Sequence, residues 1–238
     1  MKNVLVCKNC GTENPFYSMN CTKCDSYLRT RVSNIDLWQT TWQEFESPVI
    51  AGEKIIHSDH KNFVIWLIIL IGIKYATLSE MIHNSVYGST ESMNVFPQAF
   101  IAGGVPVILF LLFASVIIKL LNNYFGIKNR VADNVALYTY CFIPQLLGFL
   151  ILTPIQFALF GEYFFTFNPS PFLIKPMAAY VLLVIDVLLF LWSLVNAGSF
   201  TFAQTKNKAY SVVVAICLSV AILTIIYFLP GELLILLK

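Results

Sequence analysis

Five long apolar segments dominate the pattern of hydrophobic and polar positions along the chain. They lie near residues 63–82, 97–121, 135–160, 173–197 and 210–229. Each is long enough to cross the roughly 30 Å hydrocarbon core of a bilayer as a helix. The fifth helix could continue through Leu237, although we expect Pro230 and Gly231 to end it or to tip the remainder onto the surface. The pattern predicts an all-α polytopic membrane protein with five transmembrane helices.

Polar residues are concentrated ahead of the first apolar segment. Residues 1–61 contain seven of the fifteen Lys and Arg, seven of the thirteen Asp and Glu, and four of the six cysteines. The whole chain is only 12% charged, whereas soluble proteins contain about 25% charged residues. The net charge of +2 is too small to indicate nucleic-acid binding. We divide the chain into a head (1–28), a linker (29–61) and a membrane domain (62–238).

Two Cys-x-x-Cys pairs, separated by ten residues, supply the clearest chemical motif of the head: Cys7, Cys10, Cys21 and Cys24. This spacing suits tetrahedral Zn²⁺, because each short loop places two thiolates on one side of the ion. With all four positions filled by protein, no position is left for a substrate, so the predicted site is a structural zinc ribbon. We expect Gly11 to adopt a positive φ after the first pair, with Asp25 in the equivalent place.

Two other interpretations of these cysteines are open from the spacing alone. They could form two disulfides in an exported head, which would require an oxidising compartment. They could also be redox motifs, although such a motif is expected in a βαβ setting. Zn²⁺ is favoured, since a segment this short needs a metal to fold.

The linker brings apolar residues back at roughly helical intervals, among them Trp38 and Trp42. This pattern favours an amphipathic interfacial helix on the cytosolic leaflet, with both tryptophans at headgroup depth. Pro48 should break it, and a second short helix is expected from Val49. The alternative is a partly ordered linker. His57 and His60 are more simply explained as solvated side chains than as a second metal site.

The distribution of Lys and Arg predicts the orientation. The loop at 83–95 contains neither residue, whereas basic residues occur in the head, the linker, the second–third loop and the fourth–fifth loop. Basic loops stay in the cytosol, so the N-terminus is predicted inside and the C-terminus outside. A cytosolic head keeps its thiols reduced, which agrees with a metal site.

Two charges, Lys74 and Asp186, fall deep inside apolar segments. Charges at such depth are costly unless they are paired or solvated. They are expected to form a buried pair that fixes helix register, or else to belong to a relay for protons or ions. Pro106, Pro144, Pro154 and Pro176 interrupt spans two to four, with Gln145, Gln156 and Asn196 at related depths.

The head resembles the short zinc-ribbon heads found on many bacterial membrane proteins. The resemblance covers about residues 5–28 and is carried by Cys-x-x-Cys-Gly-Thr-Glu-Asn-Pro. It implies a binding or regulatory module.

Three stretches of the remaining chain resemble the Yip1 family of integral membrane proteins. They are the segment 45–55, which begins Phe-Glu-Ser-Pro, the aromatic-then-proline stretch at 138–144, and the tryptophan-bearing end of span four with its short basic loop at 192–209. The resemblance covers about residues 45–230. With the zinc-ribbon head, it implies a bacterial cell-membrane protein that serves membrane organisation or trafficking.

No sequence motif of an enzyme accompanies these features: there is no HExxH, no G-x-S-x-G and no phosphate loop. We therefore expect a non-enzymatic protein with the lipid bilayer and an unknown cytosolic protein as partners, and no nucleic acid. Homo-oligomerisation is left open. The alternative function is a transporter or permease component that moves an ion or small solute through the helix bundle.

Overall fold

The computed structural model describes residues 3–87 and 96–236, which divide into two compact units. The first takes in the described chain up to Ile65 with Leu111–Cys141 and Leu194–Cys217, and we call it the head unit. The second takes in Trp66–Phe110, Phe142–Ser193 and the chain from Leu218 on. We call it the second unit.

The head unit begins with short strands. β1 (Val4–Val6) pairs antiparallel with β2 (Glu13–Pro15). β3 (Val32–Asn34) pairs in parallel with β4 (Ser58–His60), and the connection contains α1 (Leu37–Glu46) and α2 (Pro48–His57). The Asp36 carboxylate caps α1 by accepting from Gln39 N at 2.7 Å. A proline at the first helical position loses no hydrogen bond, and the helix expected after the break at Pro48 is confirmed.

The remainder of the described chain is helical. Its elements are α3 (Val64–Tyr87), α4 (Phe96–Ala99), a π-helical turn (Phe100–Gly104), α5 (Val105–Tyr124), α6 (Val131–Tyr140), α7 (Ile143–Phe160), α8 (Tyr163–Thr166), α9 (Pro171–Ile174), α10 (Pro176–Thr205) and α11 (Lys208–Leu236). Within the described residues, five stretches are long and apolar enough to cross a membrane: Val64–Val86, Pro97–Tyr124, Val131–Phe160, Pro176–Thr205 and Lys208–Phe228. The prediction of five candidate spans is confirmed.

The expected end of the fifth helix at Pro230 and Gly231 is wrong, and the structure has the alternative in which the helix continues. α11 continues through Pro230 and Gly231 to Leu236. A proline removes one N–H bond but its fixed φ is compatible with a helix, and membrane helices tolerate the loss. The loop predicted at 83–95 is also shorter at its start, because α3 extends to Tyr87. Residues 88–95 of that loop lie outside the described residues.

Glycines allow close helix contact in the second unit. A Cβ on Gly104 would lie 2.5 Å from the carbonyl oxygen of Gly72, and one on Gly103 would lie 2.6 Å from Ser79 Oγ. Real Cβ atoms essentially never approach other atoms this closely. The first two spans therefore approach with backbone against backbone, which only residues without a side chain permit.

Candidate metal centre

The four cysteine sulfurs of the head converge in the structure. All four Sγ atoms lie within 4.8 Å of one another. Cys7 Sγ is 3.6 Å from Cys24 Sγ, and Cys10 Sγ is 3.5 Å from Cys21 Sγ. A tetrahedral zinc site with bonds of about 2.3 Å holds its sulfurs about 3.8 Å apart. The cluster therefore has the dimensions of a four-thiolate site and could hold a metal ion.

Each Cys-x-x-Cys pair is followed by the same turn. Gly11 N donates to Cys7 O at 2.9 Å and Asp25 N donates to Cys21 O at 3.0 Å. Gly11 has a φ of +70° and Asp25 a φ of +53°. The positive φ expected after the first pair is confirmed, and Asp25 adopts it in the equivalent position. Two similar turns thus present four thiols to a common centre.

Two polar residues that the cysteine spacing does not single out complete the cluster. Buried Asn14 accepts from Thr22 N at 2.9 Å through Oδ1, and its Nδ2 lies 3.6 Å from Cys21 Sγ. Ser26 Oγ lies 3.0 Å from Cys7 Sγ and 3.1 Å from Cys24 Sγ. Asn14 joins β2 to the second pair, and Ser26 bridges a sulfur of each pair. The sequence signal for Asn14 would have been a polar residue in the short strand between the two Cys-x-x-Cys pairs.

Hydrogen bonds favour the ionised form of two of the four thiols, those of Cys7 and Cys21, whereas the pKa of Cys10 is raised. The Ser26 hydroxyl and the backbone N–H of Cys10 lower the pKa of the Cys7 thiol to about 6. The backbone N–H groups of Lys23 and Cys24 lower the pKa of Cys21. Thiolates are the form in which cysteine binds metals.

Aromatic residues of the head (residues 1–28) pack on polar groups of the linker and of the helices in the same unit. The Phe16 ring lies 4.6 Å from the His57 ring, and Phe16 O is 3.1 Å from His57 Nε2. Burial, and then the charge of Arg29, lower the pKa of His57 to about 4, so the imidazole is neutral in this contact. The Arg130 guanidinium lies 4.8 Å above the ring of Tyr17. The head is therefore seated on α2 and on the start of α6.

A second contact ties the head to the end of α10. Asn3 Nδ2 donates to Ala203 O at 3.1 Å and to Gln204 O at 2.7 Å. Lys206, which follows α10, lies 5.6 Å from the Phe16 ring and donates to Glu53 at 2.6 Å. The cysteine cluster is thus part of a packed unit that includes the ends of two candidate spans.

A buried carboxylate holds the linker to α6 in this unit. Asp133 is fully buried and pairs with Lys61 at 2.9 Å and with Arg130 at 2.9 Å. The Arg130 Nη2 also donates to Ile56 O at 3.1 Å, and Lys61 donates to Ser58 O at 3.0 Å. The charged groups at the start of the first and third candidate spans thus neutralise one another.

The linker helix α1 has its apolar side outward. Trp38 is 77% exposed and Trp42 is 60% exposed, whereas Thr40 and Glu44 are fully buried. Asn196 Nδ2 of α10 donates to Glu44 Oε2 at 3.1 Å. A soluble amphipathic helix would bury its tryptophans; this one buries a carboxyl group and exposes them.

Lys74 and Asp186 belong to the second unit, and the structure gives them different partners. Lys74 Nζ donates to Gln145 O at 3.0 Å. Asp186 Oδ2 accepts from Gln156 Nε2 at 3.0 Å. The described contacts include no Lys74–Asp186 ion pair. Both side chains nevertheless line one cavity of this unit.

Comparison with family models, with curated proteins and with solved structures gives no match for this chain.

Proposed function

We propose that this chain is a non-enzymatic integral membrane protein of the Yip1 type, with a cytosolic zinc ribbon as a protein-interaction or regulatory module for membrane organisation. The observation that supports it is the seating of the four-cysteine head on α2, α6 and α10. A site filled by four thiolates has no open position for a reacting group. The metal would serve to hold a surface in place at the membrane.

The free side of the head offers a surface for a cytosolic partner. Val6, Lys8, Tyr27 and Leu28 line a groove of about 400 Å³. Tyr27 is 78% exposed, and exposed aromatic residues are enriched where proteins bind one another.

Variants of the groove test this proposal without removing a cysteine. We expect Tyr27→Ala to reduce co-purification of a specific partner from native membranes, because it removes the largest exposed apolar side chain of the groove. Lys23→Ala is the matched control, since Lys23 is exposed in the same head but does not line the groove. Metal content should equal that of the wild type in both variants. Equal recovery of every partner with both variants would contradict the proposal.

The proposed orientation places the N-terminus inside and lets Trp38 and Trp42 of α1 insert into the inner leaflet as an interfacial helix. The supporting observation is the outward apolar face of α1 together with the absence of Lys and Arg from 83–95. Single cysteines placed in 83–95, in a chain with Cys141→Ser and Cys217→Ser, should react with an impermeant thiol reagent from outside intact cells. Reaction only after the membrane is opened would reverse the orientation.

Transport of a small solute is a second candidate function, and the cavity that contains Lys74 and Asp186 favours it. Flux into liposomes that depends on both side chains, in folded variants, would support this candidate over a purely organising role.

A further inference from the structure

The cavity of the second unit has the size of a binding site for an organic molecule. It encloses about 540 Å³ between residues of α3, α7, α10 and the α8–α9 region. Sites for small molecules in proteins occupy about 300–1,000 Å³. A bare inorganic ion would leave most of this volume empty.

Most of the lining is hydrocarbon. Phe149, Phe160, Phe164, Phe172 and Leu182 contribute aromatic and aliphatic surface. A hard cation is bound by six or more oxygen atoms, whereas Asp186 is the only carboxylate among the described lining residues. The chemistry of the wall therefore favours an occupant with a long apolar portion.

One part of the lining has hydrogen-bond donors that are not used within the described chain. Lys74 uses one N–H on Gln145 O, and an ammonium group has three. Gln145 is buried and accepts from Tyr75 Oη through Oε1 at 2.9 Å, while its Nε2 has no partner among the described residues. A buried donor without a partner is unfavourable. An acceptor atom on the occupant, such as a phosphate or carbonyl oxygen, would satisfy these donors.

Another part of the lining has a hydrogen-bond acceptor that is not used within the described chain. Asp186 Oδ2 accepts from Gln156, whereas no hydrogen bond to its Oδ1 is found within the described chain. Since Lys74 does not neutralise this carboxylate by direct contact, a donor on the occupant would do so. A primary ammonium group fits this requirement best because it brings both a positive charge and N–H donors.

The depth of the site indicates where the occupant comes from. Lys74 lies about 15 Å along α3 from Val64 at 1.5 Å per residue, which is well inside a hydrocarbon layer of about 30 Å. Val86, Leu183 and Val187 of the lining are also half-exposed apolar side chains. An apolar chain can reach such a site from the bilayer without crossing water.

We propose that the cavity binds a single-chain zwitterionic lipid of the bilayer, with its acceptor group at Lys74 and Gln145, its primary ammonium at Asp186 and its acyl chain along the aromatic lining. This inference deepens the second candidate function by naming a ligand class, and it rests on the same cavity. It makes no use of the head.

Retention of defined lipids by the full chain tests the site. The chain is reconstituted in phosphatidylcholine nanodiscs that contain lysophosphatidylethanolamine or lysophosphatidylcholine, and bound lipid is counted by native mass spectrometry. We expect about ten-fold stronger retention of the ethanolamine lipid, because its ammonium can donate to Asp186 and a quaternary ammonium cannot. Phosphoethanolamine, which has the head group without the chain, should not be retained.

Three variants link the retention to this cavity. Lys74→Met and Asp186→Asn should each weaken retention of the ethanolamine lipid about ten-fold, and Asp186→Asn should also remove the preference over choline. Thr153→Phe fills the cavity with no change of charge and should abolish retention of both lipids even if a charge variant fails to fold. Ser193→Ala, in α10 but outside the lining, should behave as the wild type.

Equal retention of the two lipids, retention of free phosphoethanolamine, or full retention by Thr153→Phe would overturn the proposal. Binding is measured without transport, so the outcomes remain distinguishable from those of the second candidate function. Retention without any flux would support the site and contradict transport. Flux without retention would do the reverse.

Discussion

A buried carboxylate in the head unit meets two cations, whereas in the second unit Lys74 and Asp186 line one cavity and bond to different partners. Asp133 forms ion pairs with Lys61 and with Arg130, each at 2.9 Å. Nearby, Gln204 Nε2 donates to Asn134 Oδ1 at 2.8 Å. The Asp133 carboxylate thus holds elements of the head unit together. Lys74 and Asp186 of the second unit retain capacity for a ligand.

Removal of the metal proposed for the four cysteines should have the largest effect, and this effect should be confined to the head unit. Structural zinc contributes about 10–16 kcal/mol to the folding of short metal domains. We expect a chelator, or Cys21→Ser, to abolish hydrogen-exchange protection of β1 and β2 while the helices of the second unit keep theirs. Cys217→Ser is the control, because this exposed cysteine lies outside the cluster. Unchanged protection in metal-free chain would show that no metal stabilises the head.

Loss of the buried carboxylate should be the next largest effect. Asp133→Asn leaves Lys61 and Arg130 without an anion, and breaking a buried pair costs about 3–5 kcal/mol. Denaturant titration of the purified chain measures the change. Asp59→Asn breaks the more exposed Arg31–Asp59 pair at 2.8 Å and should cost only about 0–1 kcal/mol. Similar losses in both variants would mean that Asp133 has no special role in the head unit.

Close helix packing makes the second unit sensitive to a single methyl group. Gly104→Ala would place its Cβ 2.5 Å from Gly72 O, and overpacking of this kind costs about 1–3 kcal/mol. Gly198→Ala is matched in chemistry but should be neutral or slightly stabilising, since its Cβ would have no neighbour closer than 3.6 Å among the described residues. Thermal unfolding of both variants provides the comparison, and equal midpoints would argue against a tight contact of the first two spans.

The last expected effect is a pH dependence that comes from Glu44. Burial raises the pKa of this carboxyl well above its usual value, although the hydrogen bond from Asn196 lowers it. The folded state therefore binds a proton that the unfolded state releases. The contribution to stability is fully present below the ordinary glutamate pKa and is lost as pH rises through the folded pKa, by at most about 1.4 kcal/mol per pH unit.

Glu44→Gln should flatten this dependence and leave the variant more stable than the wild type at alkaline pH. Glu46→Gln is the control, because Glu46 lies in the same helix and is exposed, with Trp42 Nε1 donating to it at 2.7 Å. Unfolding midpoints between pH 5 and 9 give the measurement. Parallel curves for the wild type and Glu44→Gln would show that Glu44 is ionised in the folded chain.

The spans could be predicted because apolar length alone determines which segments suit a bilayer. Their ends could not, since polar residues there find partners far along the chain. The apolar pattern assigns Asn84 to a loop, but it lies in α3, where its Nδ2 donates to Phe165 O at 2.9 Å. The same pattern puts Asp133 outside the third span, yet it lies in the first turn of α6, where it pairs with Lys61 and Arg130.

The thiol cluster was predictable for a similar reason: four ligands at short spacing are a local pattern. The seating of the head depends on contacts between residues such as Asn3 and Ala203, which no local pattern connects. The sequence pattern predicts the outward tryptophans of α1 but not the buried Glu44 opposite them. Its partner Asn196 is 152 residues away.

The contact between Tyr17 and Arg130 has a thermodynamic consequence for the metal proposed at the four cysteines. If an ordered head is required for this contact, then the contact and metal binding are linked, and linkage between two equilibria is reciprocal. The factor by which the metal strengthens the packing of the head on the rest of its unit equals the factor by which that packing raises the affinity for the metal. The full chain should therefore compete for scarce metal better than its own excised head, and a change at Arg130 would alter metal affinity without touching a ligand.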